Sequence, residues 1–320
     1  MSSSLSVPAV ILLLVTPVAL AQSFPSKPIR VIVGFVPGGP TDISARMISQ
    51  KLSESWGQPV IIENRAGATT QIAGQMVANS PPDGYTLLAS ASTQALLPSL
   101  FPKMSYDPMK DFKPITVIFS APFLLTVSRT LPVKRISDVV KLAKARPGEL
   151  SYASAGLGSA SQLTFELFRV NTGTNMNHVP YKGQGQALAD LVAGEVQLMF
   201  NSLGAVTGFL TEGRLRAVGV TSAKRLPSLP DVPTFAESNV PDMVTGSWYG
   251  FWAPARTPDD ILNQLNREMV RITQTPEIRK QIFDMGGVPI GNSRAEFEAF
   301  QEADRARWAR VIKEAGIKLQ

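Results

Sequence analysis

The sequence predicts an α/β protein built on a mainly parallel sheet, and three observations carry that prediction. β-Branched runs alternate with apolar-faced helical stretches along most of the chain. Proline and glycine signals such as Pro81-Pro82-Asp83-Gly84 punctuate the alternation. Two of the strands end in glycine loops that lead directly into a helix, as parallel sheets require.

The first such unit organises the rest. Ile29 to Val33 is a β-branched run and reads as a buried strand. Pro37-Gly38-Gly39 then permits a tight, non-repetitive turn. Pro40 suits the first position of a helix, and Ile43, Met47, Ile48, Leu52 and Trp56 give that helix one apolar side. The first N–H groups of a helix lack internal partners, and the dipole adds partial positive charge there. A glycine loop lets a ligand reach them, so a carboxylate is expected at this turn. Taken alone, the loop reads more simply as a plain strand-to-helix connection; the rest of the chain shifts that balance. Asp42 is the one acid beside it. Its simpler role is favourable charge at a helix start, and with an anion bound it must point elsewhere.

The next elements follow in order. Pro59 to Glu63 is a strand, Asn64 to Thr70 a loop, Gln71 to Asn79 a short helix and Tyr85 to Ala89 a strand. Ser90 to Gln94 is a loop at that strand's carboxyl end, where ligands of such sheets sit. Ile115 to Phe119 and Phe123 to Val127 read as two strands, and Ile136 to Ala145 as a helix. The opening pattern then returns: strand Leu150 to Ser154, loop Ala155 to Gly158, and a helix from Ser159 to Val170. Ser159 with Gln162 fits a capping box. Strands follow at Val196 to Phe200, Leu215 to Thr221 and Trp248 to Pro254, with helices at Gln186 to Val192, Pro258 to Thr273, Pro276 to Met285 and Ser293 to Ala315. Phe297, Phe300, Trp308, Val311 and Ile312 of the last helix form a packing stripe.

Composition removes several kinds of chemistry. The chain has 320 residues, no cysteine and one histidine, His178. A Cys- or His-built metal site, a disulfide framework and a thiol nucleophile are therefore excluded. Net charge is +6, but the cations are scattered among acids and form no basic run with aromatics, which speaks against nucleic acid. No phosphate loop is present, and Gly156-x-Gly158-x-x-Ser161 lacks the third glycine of a dinucleotide fingerprint. No cofactor is expected. Residues 7–21 are almost wholly apolar and end in Ala19-Leu20-Ala21, which reads as a secretory signal cleaved after Ala21, although residues 1–6 lack Lys and Arg. An exported chain without a catalytic set, but with polar glycine loops in both halves, fits a capture protein. The rivals are an exported hydrolase using Ser92 or Ser154, and a cofactor-binding oxidoreductase.

Several motifs now resemble one family. Pro28 to Phe35 with Pro37-Gly38-Gly39-x-Thr41-Asp42, Glu63-Asn64-Arg65-x-Gly67-Ala68, Pro82 to Leu88, Val179 to Gly183 and Trp248-Tyr249-Gly250 are similar, in order and spacing, to the Bug-type solute-binding proteins. These are the extracytoplasmic receptors of tripartite tricarboxylate transporters. The resemblance covers the mature chain. It implies a two-lobe periplasmic binding protein of the type II, Venus-flytrap kind, with a mainly parallel sheet in each lobe. It implies a monomer that takes a small organic acid, a di- or tricarboxylate or an aromatic acid, and delivers it to membrane permease subunits. Lobe 1 would comprise residues 22–121 and 247–320, and lobe 2 residues 122–246, with hinge crossings near Ala121 and Gly246. By position, Phe35, Val36, Gly38, Gly39, Thr41, Asp42, Ser90, Ser92 and Gln94 would line the first lobe. Ser154, Gly158, Ser159, Ala160, Ser161, Tyr181, Lys182, Gly183 and Asn201 would line the second. Two departures stand out: Gln162 replaces the family's usual histidine, and Thr69 and Thr70 replace further glycines.

Overall fold

The computed structural model describes residues 24–101, 103–156, 159–181, 183–314 and 316. The expected signal segment, Gly158 and Lys182 lie outside them. β1 (Ile29–Val33), α1 (Pro40–Trp56), β2 (Val60–Asn64), α2 (Gln71–Ala78), β3 (Thr86–Ala91) and α3 (Thr93–Leu100) form the first group. β1 lies between β2 and β3 and runs parallel to both. Its inner residues Ile29, Val31, Ile32 and Val33 are fully buried, which is why the run is continuously apolar rather than alternating. Met47, Ile48 and Leu52 of α1 pack into the same core as β1, while Ile43 stays 43% exposed.

β4 (Phe112–Ser128) is one strand of 17 residues where the sequence reads as two. Its first part pairs antiparallel with β9 (Gly246–Pro254), down to Pro122 opposite Gly246. Its second part, from Phe123 on, pairs with β7 (Leu198–Ser202) and β8 (Leu215–Val220). Ala121-Pro122 fails to break the strand because β9 accommodates it. A Cβ on Gly246 would lie 2.4 Å from the Ala121 carbonyl oxygen, so only glycine permits that approach. The Thr221 hydroxyl secures the join, accepting the Phe123 N–H at 2.8 Å and donating to the Thr245 carbonyl at 2.6 Å.

The second group comprises α4 (Ile136–Ala145), β5 (Ser151–Ser154), α5 (Ala160–Thr172), β6 (Asn177–Pro180), α6 (Gln184–Ala193), β7, α7 (Leu203–Thr211) and β8. β5 runs parallel to β6 and β7. The path through the sheet is β2-β1-β3-β9-β4-β7-β5-β6. Each group keeps a parallel trio, but β4 and β9 run against their neighbours. The sheet is thus mixed, not mainly parallel, because the two long strands that join the groups must pass in opposite directions.

α8 (Asp259–Thr273), α9 (Pro276–Asp284), β10 (Val288–Pro289) and α10 (Arg294–Glu314) complete the chain. α10 serves both groups. Near its start Phe297 is buried against Trp248 and Trp252. Near its end Trp308 and Val311 share an apolar cluster with Phe165, Phe168 and Leu125. Asp304 and Gln301 between them accept the indole N–H groups of Trp248 and Trp252 at 3.0 and 2.8 Å. α8 and α9 pack with the core of the first group, and α10 packs against both groups. Among the described residues no helix is long and apolar enough to cross a membrane.

Candidate functional site

A cavity of about 560 Å³ lies between the two groups. The β1–α1 turn, the start of α3, the start of α5 and β9 all contribute to its wall. Of the residues expected from sequence, Phe35, Val36, Gly39, Thr41, Ser92, Ser159 and Ala160 border it.

The start of α1 is open. Gly39 is its N-cap in extended geometry, Pro40 takes the first helical position, and no side chain caps the first turn. Gly38, at φ +86, makes the bend. Asp42 points away from the cavity, as an anion site requires. Its carboxylate accepts the Gly38 N–H at 3.0 Å, the Asn64 amide at 2.8 Å and the Arg46 guanidinium at 3.0 and 3.1 Å. Burial alone would raise its pKa; these donors outweigh burial and hold it below the ordinary carboxylate value.

The start of α5 is partly closed by its own side chains. Ser159 caps it, accepting the Gln162 N–H at 3.3 Å and donating to the Gly156 carbonyl at 2.7 Å. The Ser161 hydroxyl accepts the Ala155 N–H at 3.2 Å. Beneath this turn Ser154 Oγ lies 2.7 Å from His178 Nε2 and 3.1 Å from the Gly156 carbonyl. His178 Nδ1 lies 3.3 Å from the Gln162 amide, and the ring stacks on Tyr152 at 4.8 Å. Burial, with the Arg169 charge, pushes the His178 pKa down to about 4, so the imidazole is neutral at pH 7. The serine–histidine contact is the one a nucleophile would need. Here Ser154 is fully buried and its hydroxyl holds the Gly156 turn.

Other expected residues are buried or drawn into internal bonds, although the Ser90 hydroxyl and the Gln94 side-chain carbonyl are buried with no hydrogen-bond partner among the described residues. Ser90 and Gln94 are fully buried, and the Gln94 amide donates to the Pro108 carbonyl at 3.4 Å. Tyr181 donates to Asp190 at 2.6 Å, and burial with that carboxylate raises its pKa to about 12. Asn201 donates to Thr126 at 2.7 Å and accepts from Gln184 at 3.1 Å. Gly183 caps α6 off the cavity wall. In their place the cavity takes Leu96 and Leu100 from α3, Phe101 just beyond it, and Tyr249 from β9. Thr69 also borders it, from a turn in which Ala68, Thr69 and Thr70 all have positive φ, at 44, 52 and 71°. A left-handed non-glycine residue costs about 1–2 kcal/mol, and such strain concentrates at ligand clamps. The alternation Ser247-Trp248-Tyr249 was the available signal for β9, since it puts Tyr249 on one face; the direction of that face was not visible.

The geometry agrees with the comparisons. Residues 44–317 match the family described as "Tripartite tricarboxylate transporter family receptor". The chain belongs to this family. It is 36% identical to Protein BugT of Bordetella pertussis, over 94% of this chain and 93% of BugT. Among solved structures, R. palustris Rpa4515 with adipate is 39% identical, with a TM-score of 0.78, covering 92% of this chain and 99% of that one. MatC from Rhodopseudomonas palustris with bound malate is 33% identical, with a TM-score of 0.73, covering 90% and 100%. The periplasmic binding protein BugD is 31% identical, with a TM-score of 0.75, over 93% and 100%. The family is one of periplasmic solute-binding receptors. In this receptor, metal-binding groups of three or more His, Cys, Asp or Glu are absent among the described residues.

Proposed function

We propose that this receptor captures a small dicarboxylate between its two lobes and presents the closed form to the membrane subunits of a tripartite carrier. The observation that carries the reading is the cavity bounded by the uncapped start of α1 on one side and the start of α5 on the other. One carboxylate meets the main-chain N–H groups of the α1 turn. The apolar body lies against Leu96, Leu100, Phe101 and Tyr249, and the Ser92, Thr93 and Ser159 hydroxyls orient the second polar end. Adipate and malate in two relatives are acids of this kind. Lobe 1 is residues 22–121 and 247–320, lobe 2 residues 122–246, and closure is a hinge at Ala121-Pro122 and Gly246. The receptor acts as a monomer in the periplasm after cleavage at Ala21.

A hydrolase has one contact in its favour, Ser154 with His178. Against it stand the complete burial of Ser154 and the commitment of its hydroxyl to the Gly156 turn.

The test is a thermal-shift and calorimetric screen of four- to six-carbon dicarboxylates. A ligand at 100 times its Kd stabilises the folded state by about 2.7 kcal/mol, which is a readily measured rise in Tm. Absence of any rise, and of any heat of binding, across the panel overturns the reading.

A further inference from the structure

Four polar side-chain atoms of the first group have no hydrogen-bond partner among the described residues: Thr70 Oγ1, Ser90 Oγ, Gln94 Oε1 and the Tyr106 hydroxyl oxygen. All four side chains are more than nine-tenths buried. Buried polar atoms are nearly always satisfied, by protein or by ordered water.

The contacts among these residues close a ring. Val33 stands opposite Ala89, so Gly34 and Ser90, the next residues, lie side by side on the other face of the sheet. Ile32 and Leu88 share that face with Tyr106. Thr70 rests on Gly34, where a Cβ would come within 2.9 Å of Thr70 Cβ. One turn along α2, Gly74 has the Tyr106 hydroxyl against its backbone, where a Cβ would clash. Pro108, two residues beyond Tyr106, accepts the Gln94 side-chain N–H at 3.4 Å. Gln94 returns to Ser90 through the short connection that opens α3.

The chemistry of the ring decides what it holds. It offers three hydroxyls, each a donor and an acceptor, and one carbonyl acceptor. Burial pushes the Tyr106 pKa up to about 12, so that hydroxyl keeps its proton at neutral pH. None of the four side chains is charged, and Asp107, beside Tyr106, gives its carboxylate to the Met109 and Lys110 N–H groups. An ion here would lack a counter-charge. A small neutral molecule that both donates and accepts fits, and a buried water takes two to four such partners. We propose that the ring is a hydration site, in which one ordered water is shared by Thr70, Ser90, Gln94 and Tyr106. That water ties together two segments whose adjoining residues border the dicarboxylate cavity: Thr69 in the strained turn, and Ser92 and Thr93 at the start of α3.

Two measurements on the ligand-free protein test this. A high-resolution crystal structure should show a water oxygen about 2.7–3.2 Å from at least three of the four atoms. No density inside the ring, or the four atoms bonded directly to one another, overturns the proposal. The second measurement compares urea midpoints for Thr70→Val, Tyr106→Phe and the double variant. Both substitutions keep the side-chain shape and remove one hydroxyl. If the hydroxyls share a water, the first substitution already loosens it, and the double variant's midpoint falls by less than the sum of the single falls. Additive falls overturn the proposal. Neither measurement uses a dicarboxylate, so failure of the solute screen leaves both readouts intact.

Discussion

The starts of α1 and α5 look alike in the sequence and differ in the structure. Each follows a strand and a glycine loop, and each faces the same cavity. α1 begins at Gly39 with no side chain on its first turn, and its nearby acid is turned outward by Arg46 and Asn64. α5 begins at Ser159, which satisfies one of its own N–H groups, above the contact of buried Ser154 with half-buried His178. The comparison teaches that a helix start is a ligand site in proportion to the donors its own side chains leave free. On the proposed function, α1 carries the charge of the ligand and α5 positions its far end.

Substitution at Gly39 breaks this division most severely. Its φ of −81° suits any residue, and a Cβ there meets only the Val36 carbonyl oxygen at 3.9 Å. Gly39→Val thus folds but covers the open turn, and calorimetry should show at least about a hundredfold loss of dicarboxylate affinity, about 2.7 kcal/mol. The next effect tests the base of α5. His178 has its pKa lowered from 6.5 to about 4, so the unfolded chain binds more protons between those values. Stability rises with pH across that window and is lost as pH falls from 6.5 toward 4, by up to about 3 kcal/mol. His178→Gln should flatten that part of a urea-denaturation pH profile while keeping dicarboxylate binding at pH 7. Smallest is Ser159→Ala. It removes the α5 cap at a cost of about 1 kcal/mol in stability and weakens the ligand several-fold, far less than Gly39→Val.

How much of this was legible depends on what kind of signal each residue left. β1, its turn and α1 were readable to the residue, because a β-branched run, two glycines and a proline each constrain the backbone locally. The second glycine loop and the Ser159 cap were readable for the same reason. β4 was not: Ala121-Pro122 signals a break, and only its pairing with Gly246 keeps the strand continuous. Side-chain direction was also hidden. Gln94, Tyr181 and Asn201 were expected at the site, but their partners Pro108, Asp190 and Thr126 are set by tertiary packing. The same holds for Ser154 and His178, brought together only by the register of β5 with β6. The family resemblance gave the correct class, and more of the residues it transferred to the first group than to the second border the cavity.

Backbone amide exchange, followed residue by residue with and without a saturating dicarboxylate such as adipate, tests the central claim directly. The account predicts strong slowing at Thr41 and Asp42, where main-chain donors take the anion, and weaker slowing at Ala160 and Ser161. Unchanged exchange at Thr41 and Asp42 in a protein that demonstrably binds the acid would contradict it.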